Sequence, residues 1–352
     1  MSLEDGMAAL NLQTPPRVPR TEYSAEGHWA LISAVTGQSV DETSPDEERE
    51  GARQEFFRRW NYDLYWATGI GGGEFGELRT SMGHAAYAAG ATDLNTEISC
   101  PFETPEQVLA FDPWKAYGER DRVELVRRFE EMYAGRVDRR PDGVNMTGVY
   151  VTLVSGLIDI FGWDMLLLSA GTDPQRFGDL AGRYASWIGQ FFAALAEADV
   201  PVVMIHDDIV WTSGPFMAPD WYRRYVFPRY REFIAPLRDS GKKVLFTSDG
   251  NYTEFIDDVV ECGVHGLVME PTTDMKYVAE RYGDRVAFVG NADTRVLLSG
   301  TKEQIRAEVE RCMAIGKGCP GFFMAVGNHI PANTPVENAL HYNRVYEELS
   351  RR

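Results

Sequence analysis

The chain has 352 residues, 44% of them hydrophobic, and a formal net charge of −18. This length and this apolar content are enough for one large α/β domain with a sizeable core. The acidic balance argues against a nucleic-acid partner, and because no uninterrupted apolar run reaches about 18 residues, the sequence predicts no membrane span.

Residues 1–60 contain two helix patterns, at residues 24–35 and 45–60, and are predicted to cap or flank the domain. Two apolar runs that follow, residues 62–67 and 149–154, are predicted to be strands. A third strand of this half is placed within residues 92–98.

From residue 201 onward, a short apolar run, a polar cluster and a helix pattern repeat five times. The runs are continuous rather than alternating, which indicates strands buried on both faces, as in a parallel sheet. The predicted strands are residues 202–205, 244–246, 265–269, 286–289 and 322–326, and the predicted helices are residues 219–239, 253–262, 275–282, 302–316 and 335–349.

This pattern predicts a closed (β/α)8 barrel, with residues 1–352 as a single domain and residues 1–60 as its N-terminal helical extension. An open doubly wound sheet is the alternative. It would normally carry a glycine-rich phosphate turn, but no helix pattern follows the glycines at residues 71–73.

Polar side chains follow the predicted strands of the C-terminal half. Because catalytic groups in a parallel barrel lie at the carboxyl ends of the strands, we expect these side chains to face one cavity. Neighbouring carboxylates raise one another's pKa, which suits acid–base catalysis. The predicted catalytic residues are Asp208, Asp249, Glu270 and Asn291, and the predicted substrate-binding residues at these strand ends are His206, Asp207, Trp211 and Asn251.

A metal site is a further prediction. Asp249, Glu270 and His329 together offer two carboxylates and an imidazole, which could ligate Zn²⁺ and leave one position open. His329 could instead be a structural histidine that holds the last loop.

Structural roles compete with the other assignments as well. Asp207 or Asp208 could cap a helix, and Asp249 could be a turn residue. Asn291 could tie two loops together, and Trp211 could pack against the following helix instead of lining a pocket.

Four motifs carry a family resemblance when they are taken together. They are Gly290-Asn291-x-Asp293 with Gly300-Thr301, Thr334-Pro335-x-Glu337-Asn338, Arg17-Val18-Pro19-Arg20, and His206-Asp207-Asp208 with Ala218-Pro219. With these motifs the chain resembles the uroporphyrinogen decarboxylase superfamily, which contains true decarboxylases and cobalamin-dependent methyltransferases. The resemblance implies a (β/α)8 barrel.

The N-terminal motif departs from that of the true decarboxylases. Their Met-Arg-Gln-Ala-Gly-Arg-Tyr-like motif holds the carboxylates of the porphyrinogen through its arginines, which implies substrate-binding roles for Arg17 and Arg20. This chain continues with the acidic Glu22, which, with the net charge of −18, disfavours an octa-anionic substrate.

The metal motif departs from that of the methyltransferases. Thr247 and Asp249 stand where these enzymes usually carry the His and Cys of a zinc-binding His-x-Cys-Gly motif, and Asn328-His329 stands near their C-terminal cysteine ligand. Activation of a methyl ether or a methylamine needs only a Lewis acid or a proton donor. The resemblance therefore remains compatible with methyl transfer at an oxygen-rich site.

The leading functional hypothesis is a corrinoid-linked methyltransferase that demethylates a small O- or N-methyl compound. Asp249 or Glu270 would protonate the leaving atom, a corrinoid (cobalamin) on a partner protein would accept the methyl group, and Zn²⁺ is an optional cofactor. A cofactor-free decarboxylase of uroporphyrinogen or another acid is one alternative. A non-catalytic barrel that binds a small ligand or a corrinoid protein is the other.

The predicted location is the cytoplasm. The four cysteines form no CxxC pair, and no secretory signal pattern opens the sequence. A small-molecule substrate and a corrinoid protein are the expected partners, and a homodimer is left open.

Overall fold

The computed structural model describes residues 2–81 and 98–352 and, between them, the backbone of two short strands. Strands and helices alternate through most of the described chain. The strands are β1 (Leu64–Tyr65), β2 (Ala86–Ala88), β3 (Ala91–Asp93), β4 (Val144–Asn145), β5 (Thr147–Val149), β6 (Val202–His206), β7 (Lys243–Ser248), β8 (Gly266–Met269), β9 (Ala287–Ala292) and β10 (Phe322–Val326).

The helices flank these strands along the chain. The α-helices are α1 (Leu3–Leu10), α2 (Trp29–Thr36), α3 (Asp46–Arg59), α4 (Pro105–Leu109), α5 (Pro113–Tyr117), α6 (Arg122–Arg139), α7 (Val154–Thr172), α8 (Pro174–Glu197), α9 (Pro219–Tyr225), α10 (Phe227–Asp239), α11 (Ile256–Glu261), α12 (Met275–Tyr282), α13 (Thr294–Ser299), α14 (Lys302–Gly316) and α15 (Val336–Leu349).

Parallel pairing arranges the strands in a ring. β5, β6, β7, β8, β9 and β10 form one sheet in that order, and β1 pairs with β4, which directly precedes β5. Arg20 completes the ring, because it forms parallel bridges with Tyr62 on one side and with Met324 of β10 on the other. The segment around Arg20 therefore occupies the eighth strand position, and the predicted (β/α)8 barrel is confirmed.

The third N-terminal strand was predicted in the wrong place. Thr92 and Asp93 belong to β3, which pairs antiparallel with β2, and residues 94–97 lie outside the described residues. The barrel strand is instead the segment that contains Arg20. The sequence of that segment shows no strand pattern, because prolines and arginines interrupt its apolar residues.

Two element boundaries differ from prediction for local reasons. The strand predicted at residues 149–154 ends at Val149, and α7 begins at Val154. The helix predicted at residues 219–239 is two helices that meet at Val226. Pro228 would interrupt the interior of one continuous helix, whereas proline is favoured in the first turn of a helix, where Pro228 lies in α10.

The barrel interior is filled by side chains from alternate strand positions. Met204, Val289 and Phe323 belong to this inner cluster, whereas their strand neighbours pack outward against the helices. Ala9 and Leu10 of α1 join the inner cluster, so that α1 closes the amino end of the barrel. The single-domain division with residues 1–60 as a cap stays a prediction.

Residue 148 of β5 must be a glycine, because the backbone of β6 lies close to its Cα. A Cβ at this position would overlap the backbone of Met204 in β6. Gly148→Ala is therefore expected to lower the free energy of unfolding by about 1–3 kcal/mol or more. Urea unfolding followed by circular dichroism measures the loss.

Gly51 offers a matched control for that substitution. It lies in the exposed face of α3, and a Cβ there has open space. Gly51→Ala is expected to raise stability by about 0.5–1 kcal/mol, because alanine loses less backbone entropy in a helix. Equal effects of the two substitutions would contradict the strand packing described here.

Helix α7 is long and apolar enough to cross a membrane by length and composition. However, 67% of its most apolar window is buried inside the protein, and Gly162 interrupts the helix with φ 70° and ψ 165°. We therefore interpret α7 as a core helix.

Candidate active site

Three carboxylates lie at the carboxyl ends of three neighbouring strands. Asp208, Asp249 and Glu270 follow the last residues of β6, β7 and β8 by one or two positions. Because these strands are adjacent in the sheet, their ends bring the three side chains together. The structure thus assembles three of the four predicted catalytic residues at one rim.

Backbone and side-chain donors orient two of these carboxylates. Asp208 Oδ1 accepts a hydrogen bond of 2.9 Å from the backbone N–H of Asp249. Glu270 Oε2 accepts one of 2.7 Å from the backbone N–H of Gly250, and its Oε1 accepts one of 2.5 Å from Asn328 Nδ2. Glu270 is therefore fixed in position between the turn after β7 and the loop after β10.

The surroundings of Asp249 favour a bound proton on its carboxyl group. Burial inside the barrel mouth, followed by repulsion from Asp208 and Glu270, raises the pKa of Asp249 well above its usual range, while a hydrogen bond from Asn328 opposes the shift. The side chain is open to the adjacent cavity, so water there reduces the shift. Asp208 and Glu270 face the group, so that their repulsion raises its pKa even where water reaches the side chain.

His206 contacts both Tyr150 and Asp208. Its ring stacks on Tyr150 at a centroid distance of 3.9 Å, and its Nδ1 donates to the Tyr150 carbonyl oxygen at 3.0 Å. Its Nε2 lies 3.5 Å from Asp208 Oδ1. Since Nδ1 acts as a donor, an attractive contact between Nε2 and Asp208 requires a proton on one of these two groups.

Two connected cavities occupy the barrel mouth, an inner chamber of about 60 Å³ and an outer basin of about 370 Å³. They share Glu270, Asn328 and His329. The inner chamber is lined by Tyr23, Ser24, Trp66, Tyr150, His206, Thr247, Ser248, Asp249, Val268, Met269, Glu270, Gly327, Asn328 and His329. The outer basin is lined by Thr212, Glu270, Pro271, Thr272, Asp293, Thr294, Arg295, Leu298, Asn328, His329, Pro331 and Asn333.

The charge of the inner chamber is negative. Among the described residues, its lining contains neither lysine nor arginine. Burial lowers the pKa of His329 to about 4, so this imidazole is neutral at neutral pH. In the outer basin, Arg295 is committed to Asp293 at 2.7 Å. The chamber therefore suits a small neutral or cationic group better than a polycarboxylate.

Asn291 was predicted to be catalytic, but it is buried and fully engaged. Its Nδ2 donates to the backbone carbonyl oxygens of Glu270 and Thr273 at 3.1 and 3.2 Å. Its Oδ1 accepts from Arg311 at 3.0 Å. We correct its role to that of a structural tie, which holds the backbone of Glu270.

Asp207 was predicted to bind substrate, and the structure corrects this as well. The side chain is fully buried and accepts hydrogen bonds from the backbone N–H groups of Val154 and Ser155 and from the Tyr230 hydroxyl. It therefore anchors the first turn of α7 and points away from the cavity. Burial raises the pKa of Asp207, and these donors oppose that shift.

Arg17 and Arg20 do not reach the two cavities. Arg20 is completely buried between the barrel and its helices, where its guanidinium bonds Glu22 at 2.8 Å and lies over the Trp60 ring. Arg17 bonds Asp63, also outside the cavity linings. We therefore correct the prediction that these arginines bind substrate, because both form structural ion pairs outside the cavities.

Asn251 and Trp211 lie beside the mouth. Asn251 Oδ1 accepts from the backbone N–H of Thr253, which makes it a turn residue, and its predicted contact with substrate stays a prediction. Trp211 is 43% exposed and packs against Trp163 and Phe216 at the rim. Its predicted contact with substrate stays a prediction.

The residues at the mouth do not fit a zinc ion. Within residues 2–81 and 98–352, no three His, Cys, Asp or Glu side chains are grouped so that they could hold a metal. Asp249, Glu270 and His329 share the inner chamber, but each oxygen of Glu270 already accepts a hydrogen bond. No chemistry is therefore assigned to a bound metal, and Zn²⁺ as a cofactor stays a prediction.

Three aromatic residues of the inner chamber were missed by sequence reasoning. Tyr23, Trp66 and Tyr150 follow the ends of the N-terminal barrel strands. The same strand-end rule would have found them if those short strands had been located correctly.

The fold and the site define a parallel barrel with an acid–base centre at the carboxyl ends of its strands. The family model described as uroporphyrinogen decarboxylase (URO-D) matches residues 145–348, more than half of the chain. The chain belongs to the uroporphyrinogen decarboxylase family, as the motifs predicted.

Relatives agree with this assignment. The uroporphyrinogen decarboxylase of Coxiella burnetii is 28% identical over 170 residues, which are 47% of this chain and 45% of that protein. That of Psychromonas ingrahamii is 29% identical over 184 residues, 51% of this chain and 50% of that protein. The matched region thus spans about half the length of these relatives.

A methyltransferase from Methanosarcina mazei has a similar structure, with a TM-score of 0.65 and 19% identity over 98% of both chains. At this identity the likeness supports the fold alone.

Proposed function

We propose that the protein is a corrinoid-linked methyltransferase that removes the methyl group of a small O- or N-methyl compound, with Asp249 as the proton donor. The observation that carries the proposal is the inner chamber, which is small, has the carboxylates of Asp249 and Glu270 in its lining, and is lined by neither lysine nor arginine among its described residues. A polycarboxylate would meet repulsion there, whereas a neutral ether or a protonated amine would not.

The chain's residues have distinct roles in this reaction. When the methyl–oxygen bond of an ether breaks, the bonding electrons stay on the oxygen, and the proton of Asp249 neutralises it. A neutral amine instead takes up the proton of Asp249 before its methyl–nitrogen bond breaks, and it then leaves as the neutral amine. Asp208 and Glu270 keep that proton on Asp249 by repelling its ionised form. Asn328 holds Glu270 in place.

The methyl acceptor in this proposal is a reduced corrinoid on a partner protein, which supplies the nucleophile. The mouth offers access for such a partner. The outer basin of about 370 Å³ leads from the surface to Glu270 and His329, and the exposed side chains of Trp211 and Leu298 stand beside its opening. These apolar groups support docking of another surface at the mouth.

A carboxy-lyase is the second candidate, because the matched relatives are named uroporphyrinogen decarboxylases. Catalysis would need cations that hold the carboxylates of the substrate. Among the described residues that line the two mouth cavities, Arg295 could serve this purpose, and its pairing with Asp293 leaves it less free to act.

A two-armed assay distinguishes the candidates. The purified protein is incubated with cob(I)alamin and a panel of methoxyaromatics and methylamines, and methylcobalamin is followed by its absorbance. In parallel, carbon dioxide release from uroporphyrinogen is measured. We expect methylcobalamin with at least one member of the panel and no carbon dioxide; carbon dioxide release without methyl transfer would refute the proposal in favour of the carboxy-lyase.

A further inference from the structure

A third cavity lies outside the active site and has the opposite electrostatic character. It has a volume of about 300 Å³ and shares Tyr23, Ser24 and Trp66 with the inner chamber. Its remaining walls come from α3, from the region of β1 and from the last turn of α6. The side chains that define its chemistry are Phe57, Tyr62, Tyr65, Trp66, Arg136 and Arg140.

The two arginines face this cavity without an acidic partner in the described part of the chain. Arg136 donates to the backbone carbonyl oxygen of Thr68 at 2.9 Å. Arg140 lies over the rings of Phe57 and Tyr65, at 4.5 and 5.2 Å from their centroids. Burial, followed by repulsion from Arg140, lowers the pKa of Arg136. A bound anion would relieve this repulsion.

Polar atoms at the walls also lack partners. Tyr62 is only 2% exposed, and its hydroxyl has no hydrogen-bond partner in the described structure. The Nε of Arg140 and the indole N–H of Trp66 are buried and unpartnered in the same way. Buried polar groups are normally satisfied, so that a cluster of exceptions around one cavity indicates a missing ligand.

The acidic groups of the lining limit the charge of that ligand. Glu22 is neutralised by Arg20, so Glu26 is the carboxylate that remains. Two guanidiniums against one carboxylate favour a ligand with a single negative charge. The rings of Phe57, Tyr62 and Tyr65 form an aromatic cluster, in which the centroid of Tyr62 lies 4.8 Å from that of Phe57 and 6.0 Å from that of Tyr65. These rings favour a flat apolar body.

We propose that this cavity is a binding site for a small aromatic carboxylate, whose carboxylate group pairs with Arg136 and Arg140 and whose ring packs against Tyr62 and Tyr65. The site is separate from the carboxylate centre of the inner chamber, and Tyr23 and Trp66 form the shared wall. It does not depend on which reaction the inner chamber performs.

Calorimetric titration with benzoate tests the site. Arg140→Met and Arg136→Met should each weaken benzoate binding by roughly 10-fold or more, because a hydrogen bond to a charged group contributes about 1.5–3 kcal/mol. Arg139→Met is the matched control: it is exposed on the same helix outside the cavity lining, and it should change the affinity by less than about twofold. Circular dichroism verifies that each variant is folded.

Two further ligands sharpen the result. Benzamide, which keeps the ring but lacks the charge, and inorganic phosphate, which lacks the ring, should both bind more weakly than benzoate. The proposal is overturned if benzoate does not bind, if benzamide or phosphate binds equally well, or if neither cavity arginine affects the affinity. If Arg140→Met fails to fold, Arg136→Met alone decides, since the side chain of Arg136 holds the described structure through a hydrogen bond to the Thr68 carbonyl oxygen.

Discussion

Asp249→Asn is expected to lower kcat for methyl transfer by roughly 10²–10⁴-fold, the usual contribution of a positioned general acid. Asparagine keeps the size and the hydrogen-bonding capacity of the side chain but has no proton of suitable acidity. The measurement is the initial rate of methylcobalamin formation at saturating methyl donor, using the best substrate of the panel.

The matched control is Asp220→Asn, which removes one carboxylate that is 97% exposed at the start of α9 and lies outside the linings of both mouth cavities. It should retain nearly full activity. Full activity in Asp249→Asn, with the fold verified by circular dichroism, would remove Asp249 from the proposed mechanism.

The Asp249→Asn variant should be at least as stable as the wild type at neutral pH. The pKa of Asp249 is raised in the folded state, so the folded protein binds this proton more tightly than the unfolded chain. Its contribution to stability is therefore fully present below the unfolded pKa and is lost as the pH rises toward the folded pKa. Thermal melts across this range should show a flatter pH dependence in Asp249→Asn.

Arg20→Met is expected to lower the free energy of unfolding by about 3–5 kcal/mol, the cost of leaving a buried charge without its partner. Arg20 and Glu22 are both completely buried, and Glu22 also accepts from the backbone N–H of Val326 in β10. Because burial already raises the pKa of Glu22, loss of Arg20 would leave a carboxylate that must be ionised at high cost or take up a proton. Urea unfolding at neutral pH measures the loss.

Arg229→Met provides the comparison, because Arg229 forms an exposed pair with Glu232 within one helix. Such a pair contributes less than about 1 kcal/mol. Folded Arg20→Met protein should retain the substrate KM of the wild type, since Arg20 does not reach the cavities. A raised KM with unchanged stability would restore the substrate-binding role that the sequence suggested.

The C-terminal half of the barrel could be predicted because its strands are buried on both faces and read as continuous apolar runs. β10, for example, occupies the predicted residues, and α12 and α14 also begin and end as predicted. The N-terminal strands are short, and the one around Arg20 pairs through single bridges, so it lacks an apolar run of its own. Its place in the ring follows from pairing partners distant in sequence, which periodicity does not encode.

The candidate site was predictable to the extent that strand ends determine position. Asp208, Asp249 and Glu270 follow well-defined strands, and the structure brings them together. Asp207 and Asn291 also follow strands, but their side chains turn toward buried backbone groups. Which way a polar side chain turns depends on unsatisfied N–H and C=O groups of other elements, and those are known only after folding.

Infrared difference spectroscopy of Asp249 tests the central claim most directly. The spectrum of the wild type minus that of Asp249→Asn should contain the carbonyl band of a protonated carboxylic acid at a pH well above the usual range for aspartate, and the band should disappear as the pH rises further. Glu270→Gln should shift this loss to lower pH, because it removes one of the two charges that repel the ionised form. A spectrum without the band above that range, or a titration that Glu270→Gln leaves unchanged, would contradict the account.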